Sequence, residues 1–154
     1  MIANITKEVI NEIKGRVLLL HDKCINESGG ILGILSEGCL EFAIYNILRF
    51  SEKTNNALLN AAYIYFVMAT RHCFFDGNKR IAHLFAKQVL LDNNIHLILH
   101  YWAACPFILK IANGEKTIEE IQSWLQKYTT IISNNNNNKE KYLKDMLYDI
   151  KGTN

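Results

Sequence analysis

The sequence predicts a mostly α-helical domain, and three observations carry that expectation. Proline occurs once, at Pro106, so long helices are permitted almost everywhere. Apolar residues recur three or four apart over several stretches, and glycines cluster between those stretches. No run alternates apolar and polar residues as a half-buried strand does, and no internal repeat is present. The 154 residues are 49% hydrophobic and 21% charged, which suits one globular domain with a tail and excludes disorder over most of the length. A chain of this size buries about two thirds of its unfolded surface and needs no metal or disulfide staple.

The elements follow in order. A first helix is expected from about Ile5 to Ile25, with Ile10, Ile13, Val17, Leu20 and Cys24 on one face. Glu27-Ser28-Gly29-Gly30 breaks it, and Ile31 to Ser36 reads as an extended flap or hairpin. A short helix is expected from Gly38 to Leu48, with Leu40, Ala43, Ile44 and Ile47 inward. Asn55 or Asn56 can cap the next helix, which carries Leu58, Leu59, Ala62, Tyr63, Phe66 and Val67 and ends near His72. After a loop the period resumes with Ile81, Leu84, Phe85, Val89 and Leu91, until Asp92-Asn93-Asn94 stops it. A connecting region holds Pro106. Thr117-Ile118-Glu119-Glu120 is a capping box opening a helix with Ile118, Ile121, Trp124, Leu125 and Tyr128 as its stripe. The Asn134 to Asn138 run reads as a linker. Beyond it, Leu143, Met146, Leu147 and Ile150 form a stripe that either packs on the same core, the favoured reading, or docks a partner or covers a site. The division is thus a domain over 1–130, an Asn-rich linker over 131–138 and a C-terminal helical extension over 139–154.

Composition narrows the function classes. The net charge is +2, from 17 basic and 15 acidic residues, too small to imply nucleic acid or an acidic membrane. No uninterrupted apolar run of about 18 residues is present, so no transmembrane helix is expected, and the N-terminus does not look like a signal peptide. Cys24, Cys39, Cys73 and Cys105 form no CxxC pair. The expectation is four reduced thiols in a reducing cytoplasm, used as small core residues, with no zinc site.

One segment carries chemistry. Arg71 to Arg80 packs His72, Asp76, Asn78, Lys79 and Arg80 into ten residues between two apolar helices. A helix N-terminus offers unpaired N–H groups and partial positive charge, so it attracts anions. Gly77 permits close backbone approach, and Lys79 and Arg80 add donors suited to phosphate. Asp76 is a hard oxygen ligand of the kind that holds Mg²⁺ together with phosphates, and His72 can take a proton from a hydroxyl. Each residue alone has a plainer reading: His72 as a helix-end residue, Asp76-Gly77-Asn78 as a turn, Phe74 and Phe75 as anchors under the loop. A basic pair at a helix N-terminus opposes the dipole, however, and calls for an anion nearby.

His72-x-Phe74-x-Asp76-Gly77-Asn78-Lys79-Arg80 resembles the Fic/Doc family signature, H-x-F-x-[D/E]-[G/A]-N-[K/G]-R. His21-Asp22, Gly29-Gly30, Gly33-Ile34 and Glu37 to Glu41 resemble the N-terminal pattern of its death-on-curing (Doc) branch, and Asn113-Gly114 with Thr117 to Leu125 resembles that branch's last helix. The resemblance runs from Met1 to about Tyr128, and the tail from Asn134 has no counterpart. It implies an all-α Fic fold, a helical bundle with a short flap or hairpin beside the active-site loop. It also implies ATP and Mg²⁺ as cofactors. By carry-over His72 is the catalytic base, Asp76 holds Mg²⁺ through the phosphates, and Gly77, Asn78, Lys79 and Arg80 bind the phosphates.

Lys79 and His83 bear on the branch. AMP-transferring relatives usually carry Gly where Lys79 stands and a second Arg where His83 stands. In the Doc branch, lysine there goes with transfer of the γ-phosphate to a threonine of elongation factor Tu, which stops translation. The resemblance therefore implies a toxin of a toxin–antitoxin system, with elongation factor Tu as substrate. No [S/T]-x-x-x-E-[G/N] inhibitory motif is found, in agreement with inhibition by an antitoxin that docks a helix on the toxin. Protein adenylylation is the alternative, and a catalytically silent binding module stands against the joint retention of His72, Asp76, Asn78 and Arg80. His96 and His100 have no third residue spaced for a metal and are expected to line a loop or strand.

Overall fold

The first three helices each begin at a residue whose side chain caps them. A computed structural model describes residues 4–133, 140–142, 144–146 and 150. Helix α1 spans Lys7–Ser28, and the Thr6 hydroxyl caps it by accepting the Val9 N–H. It runs one turn past the expected end because the Ser28 hydroxyl bonds back to the Cys24 carbonyl and the Gly29 N–H still reaches Ile25. Helix α2 spans Glu37–Thr54, capped by Ser36. It too outlasts the expected Leu48, and stops only where Asn55 turns left-handed at φ 45°. Asn55 closes α2, and Asn56 caps α3, Ala57–Arg71, through the Leu59 N–H. Two adjacent asparagines thus divide the tasks of ending one helix and starting the next.

Helix α3 is the centre of the bundle. It contacts α2, α4, α5 (Tyr101–Ala112) and α6 (Ile118–Gln126). Its Ala61, Ala62 and Ala69 are fully buried, and small side chains let neighbouring helices approach on several sides. Helix α4, Asn78–Asp92, lies against it with Ile81, Leu84, Leu90 and Leu91 inward. The Thr117–Glu120 capping box forms as read, and Ile121 and Leu125 are buried.

Beyond these helix ends, the structure departs from expectation in three places. Pro106 lies inside α5, not in a connecting region. Tyr101, Ala104, Ile108 and Ile111 bury one face of that helix, which offsets the lost hydrogen bond to the Trp102 carbonyl on its exposed side. A two-stranded antiparallel pair joins β1 (Ile95–Leu97) to β2 (Thr129–Ile131), tying the end of α4 to the end of α6. Three residues per strand are too few to show an alternation. Third, Cys39 and Cys73 form a disulfide, with Cα atoms 5.5 Å apart, and only Cys24 and Cys105 are free thiols. Folding the flap against the 72–77 loop brings together two cysteines 34 residues apart in the chain. Four reduced thiols therefore no longer speak for a reducing compartment.

In the tail, residues 140–142, 144–146 and 150 are helical. Met146 and Ile150 are buried in the same core as the bundle, and the Tyr142 ring lies 4.2 Å from that of His96. These residues follow the core-packing reading of the stripe. Leu143 and Leu147, and the Asn134 to Asn138 run, lie outside the described residues. Among the described residues, no helix is long and apolar enough to cross a membrane.

A cross-link over 34 residues lowers the entropy of the unfolded chain by the equivalent of about 3–4 kcal/mol. Cys39→Ser is expected to reduce the unfolding free energy by about that amount in urea melts without reductant. A loss below about 1 kcal/mol would show that the bridge does not constrain the chain.

Candidate active site

The motif occupies the loop between α3 and the start of α4. His72 follows α3 in the left-handed region, at φ 53° and ψ 52°, and its side chain is exposed. A non-glycine residue there costs roughly 1 kcal/mol, so the surroundings must hold it. They do so from two sides. Cys73 and Phe74 are buried, with Cys73 bonded to Cys39. The Cys73 carbonyl accepts the N–H groups of Leu35 and Ser36, and the Phe75 N–H donates to the Gly33 carbonyl. Ile34 forms an isolated antiparallel bridge to Phe74, so the predicted flap is a single extended strand laced onto the loop rather than a hairpin of its own.

Within the loop, Asn78 closes the turn. The Phe74 N–H donates to Asn78 Oδ1 at 3.0 Å, and Asn78 Nδ2 donates to the Phe74 carbonyl at 2.9 Å. The Asn78 side chain is therefore spent on the loop, and its N–H is what it can offer an anion. Gly77 sits at φ 79° and is buried. A Cβ there would stand 3.1 Å from Ile25 Cδ1 and 3.3 Å from His21 Nε2, so internal packing as well as backbone conformation demands glycine.

Asp76 is enclosed by donors. Gly77 N–H reaches Oδ1 at 2.8 Å, Ile31 N–H reaches Oδ2 at 3.2 Å, and Arg80 Nη2 lies 3.4 Å from Oδ1. Burial pushes the carboxyl pKa up, but those two N–H groups and the guanidinium outweigh it and hold Asp76 below its ordinary value. It is a carboxylate at neutral pH, with 43% of its side chain exposed and able to meet a cation. The backbone at Gly30 passes close above: a Cβ there would collide with Asp76 Oδ2.

Lys79 and Arg80, a pair in sequence, part company in space. Arg80 donates through Nη1 to the Ser28 hydroxyl and to the Gly29 carbonyl at 2.8 Å, at the negative end of α1, and its side chain is 16% exposed. Lys79 is partly exposed and makes no ion pair among the described residues. Helix α4 opens without a side-chain cap and with no acidic residue in its first turn. Its leading N–H groups therefore have no side-chain cap, and Lys79 adds a cation to the same helix end.

His83 stands apart from this site. It is fully buried, its Nδ1 bonded to the Tyr65 hydroxyl at 2.6 Å. Burial first, and then the charges of Lys87 and His100, push its pKa well down, so it is neutral. His96 lies in β1, and His100 precedes α5. Among the described residues no three His, Cys, Asp or Glu side chains gather as a metal cage.

The structure thus brings His72, Asp76, Gly77, Asn78, Lys79 and Arg80 into one loop and helix end. It adds His21, Ser28 and the Gly29–Ile31 backbone, to which the sequence assigned no chemistry. His21 had a signal: it lies four residues after Val17, on the buried face of α1. Ser28 and Ile31 had none, because they act where α1 ends against the loop.

A family model described as Fic/DOC family matches residues 4–90, more than half of the chain and all of the loop and its supports. No curated protein matches the sequence.

Asn78→Ala would leave both Phe74 backbone groups unpaired, and the unfolding free energy is expected to fall by about 2–3 kcal/mol. Lys79→Ala should change it by no more than about 0.5 kcal/mol. Equal stability of the two variants in urea melts would remove the distinction between loop clamp and anion contact.

Proposed function

The chain belongs to the Fic/DOC family, and on that premise we propose that it is a Doc-like kinase that transfers the γ-phosphate of ATP to a Ser or Thr hydroxyl of another protein. Members of the family are protein-modifying transferases that use nucleotide substrates, usually with a divalent metal. The observation that carries the kinase reading is the cation of Lys79, without an ion pair among the described residues, in the first turn of α4, where AMP-transferring relatives leave room with glycine. His83 supports it as well. It occupies the place of their second arginine, yet it is neutral and buried against Tyr65 and offers the phosphates no charge.

In this reading the acceptor hydroxyl loses its proton to His72 as its oxygen bonds to the γ-phosphorus. The bond from that phosphorus to the β–γ bridging oxygen breaks, and ADP leaves. The N–H groups that open α4, with Lys79, receive the phosphate oxygens and stabilise the charge that develops on them. Asp76 fits the role of divalent-ion ligand, since it is ionised, partly exposed and next to that anion site. A bound Mg²⁺ would neutralise phosphate charge there. Arg80 keeps Asp76 and the end of α1 together and adds positive potential.

A protein acceptor is supported by the apolar side chains exposed around the loop: Ile31, Leu32 and Leu35 on the flap, with Phe42 and Phe75 beside it. A translation factor of the elongation factor Tu class is the proposed target. The same face suits an antitoxin helix, and a cytoplasmic setting follows from ATP and that target.

ATP labelled at either the γ- or the α-phosphate distinguishes the kinase from an adenylyltransferase. The expected result in a bacterial lysate with Mg²⁺ is γ-label alone on a band the size of a translation factor; α-label would establish adenylylation instead. His72→Ala is expected to lower transfer by about 10²–10⁴-fold with an unchanged melt. Lys79→Gly should weaken γ-transfer by about 10²-fold, and an unaltered rate and nucleotide preference in that variant would refute the role given to Lys79.

A further inference from the structure

We infer that His21, on α1, is a positioning residue that sets the orientation of the Asp76 carboxylate through the peptide plane between Asp76 and Gly77. His21 is 1% exposed, and its Nε2 lies 2.7 Å from the Asp76 carbonyl oxygen. A carbonyl only accepts, so Nε2 carries the hydrogen. The ring stacks on Phe74 with centroids 3.9 Å apart and planes 15° from parallel, which leaves it little freedom to turn. A Cβ on Gly77 would stand 3.3 Å from the same nitrogen, so there is no room for a larger residue on that side.

A peptide unit is rigid, with its C=O and N–H pointing in opposite directions. Fixing the Asp76 carbonyl on His21 therefore fixes the Gly77 N–H on the other edge, and that N–H donates to Asp76 Oδ1 at 2.8 Å. The second oxygen is held by the Ile31 N–H at 3.2 Å. The carboxylate is thus aimed by two N–H groups, one of them set by a histidine 55 residues earlier in the chain. Without the His21 donor the 76–77 plane can rotate, the Gly77 N–H leaves Oδ1, and Asp76 meets a cation in a spread of orientations. The inference rests on the reading of Asp76 as the divalent-ion ligand.

The test uses the full chain and two substitutions. His21→Phe keeps a ring against Phe74 but has no donor; His21→Gln keeps an N–H. In His21→Phe, amide hydrogen exchange at Gly77 is expected to accelerate about tenfold or more. The Mg²⁺ concentration for half-maximal ATP binding, read by calorimetry, should rise about tenfold, with ATP binding in the absence of metal unchanged. Transfer should lose kcat with little change in KM for the acceptor, and His21→Gln should recover part of each effect. A folded His21→Phe with unaltered Gly77 exchange or unaltered Mg²⁺ dependence overturns the inference. If neither substitution folds, the wild-type chain decides: a slowly exchanging Nε2 proton of His21, coupled across the hydrogen bond to the Asp76 carbonyl carbon, supports it, and absence of that proton overturns it. Failure of the wild type to bind Mg²⁺ with ATP would sink the kinase reading, while Gly77 exchange still judges the His21 contact.

Discussion

Asn78 and Phe74 exchange two hydrogen bonds across a loop that has no repeating structure of its own, and the rest of the site hangs from that exchange. A short connection between two buried helices must find partners for its own backbone groups, since few are supplied by neighbours. Asparagine meets the need because one side chain offers both an acceptor and a donor at the right reach. Aspartate lacks the donor, and glutamine is a methylene too long. With Phe74 held, His72 is committed to its left-handed conformation and projects outward, while Asp76 and Gly77 fall beneath the end of α1. The flap contributes further bonds to Cys73 and Phe75. His72, the Asp76 carboxylate and the start of α4 are therefore placed by one backbone arrangement, which is what the proposed chemistry requires of its reacting groups.

Electrostatics divides the two basic residues at the start of α4. Two cations at the positive end of a helix are unfavourable together. The fold answers one of them: Arg80 is taken up by Asp76 and by the carbonyl end of α1. Lys79 is partly exposed and has no ion pair among the described residues, in the first turn of a helix that has no side-chain cap. The result is a helix N-terminus without a side-chain cap next to a carboxylate, the arrangement on which the proposed phosphate and divalent-ion roles rest. Arg80 matters to this pattern mainly as a fastening, since its donors serve Ser28, Gly29 and Asp76.

Much of the fold was legible because its signals are local. The capping box at Thr117 and Glu120 and the cap at Asn56 concern residues within one helical turn, and periodicity reported the inward faces of α2 and α4. Helix ends were less legible. Helix α2 continues past Leu48 because nothing stops it until Asn55 adopts a positive φ, and α1 continues to Ser28 by a side-chain bond to its own backbone. Pro106 reads locally as a break, but burial of the opposite helix face outweighs it. The Cys39–Cys73 bridge and the β1–β2 pair join segments more than thirty residues apart, and composition and spacing hold no trace of such meetings.

Residue order alone sets the helical class and gathers His72, Asp76, Asn78, Lys79 and Arg80 in one loop, because nearness in the chain guarantees nearness in space over so few residues. Tertiary structure alone decided what each of them is free to do. Asn78 turned inward to the loop, Arg80 was drawn to the end of α1, and Lys79 was left partly exposed without an ion pair among the described residues. His21 came to hold the Asp76 backbone from another helix. Availability for chemistry depends on which donors and acceptors the packed chain has already used, and that is settled only when distant segments meet.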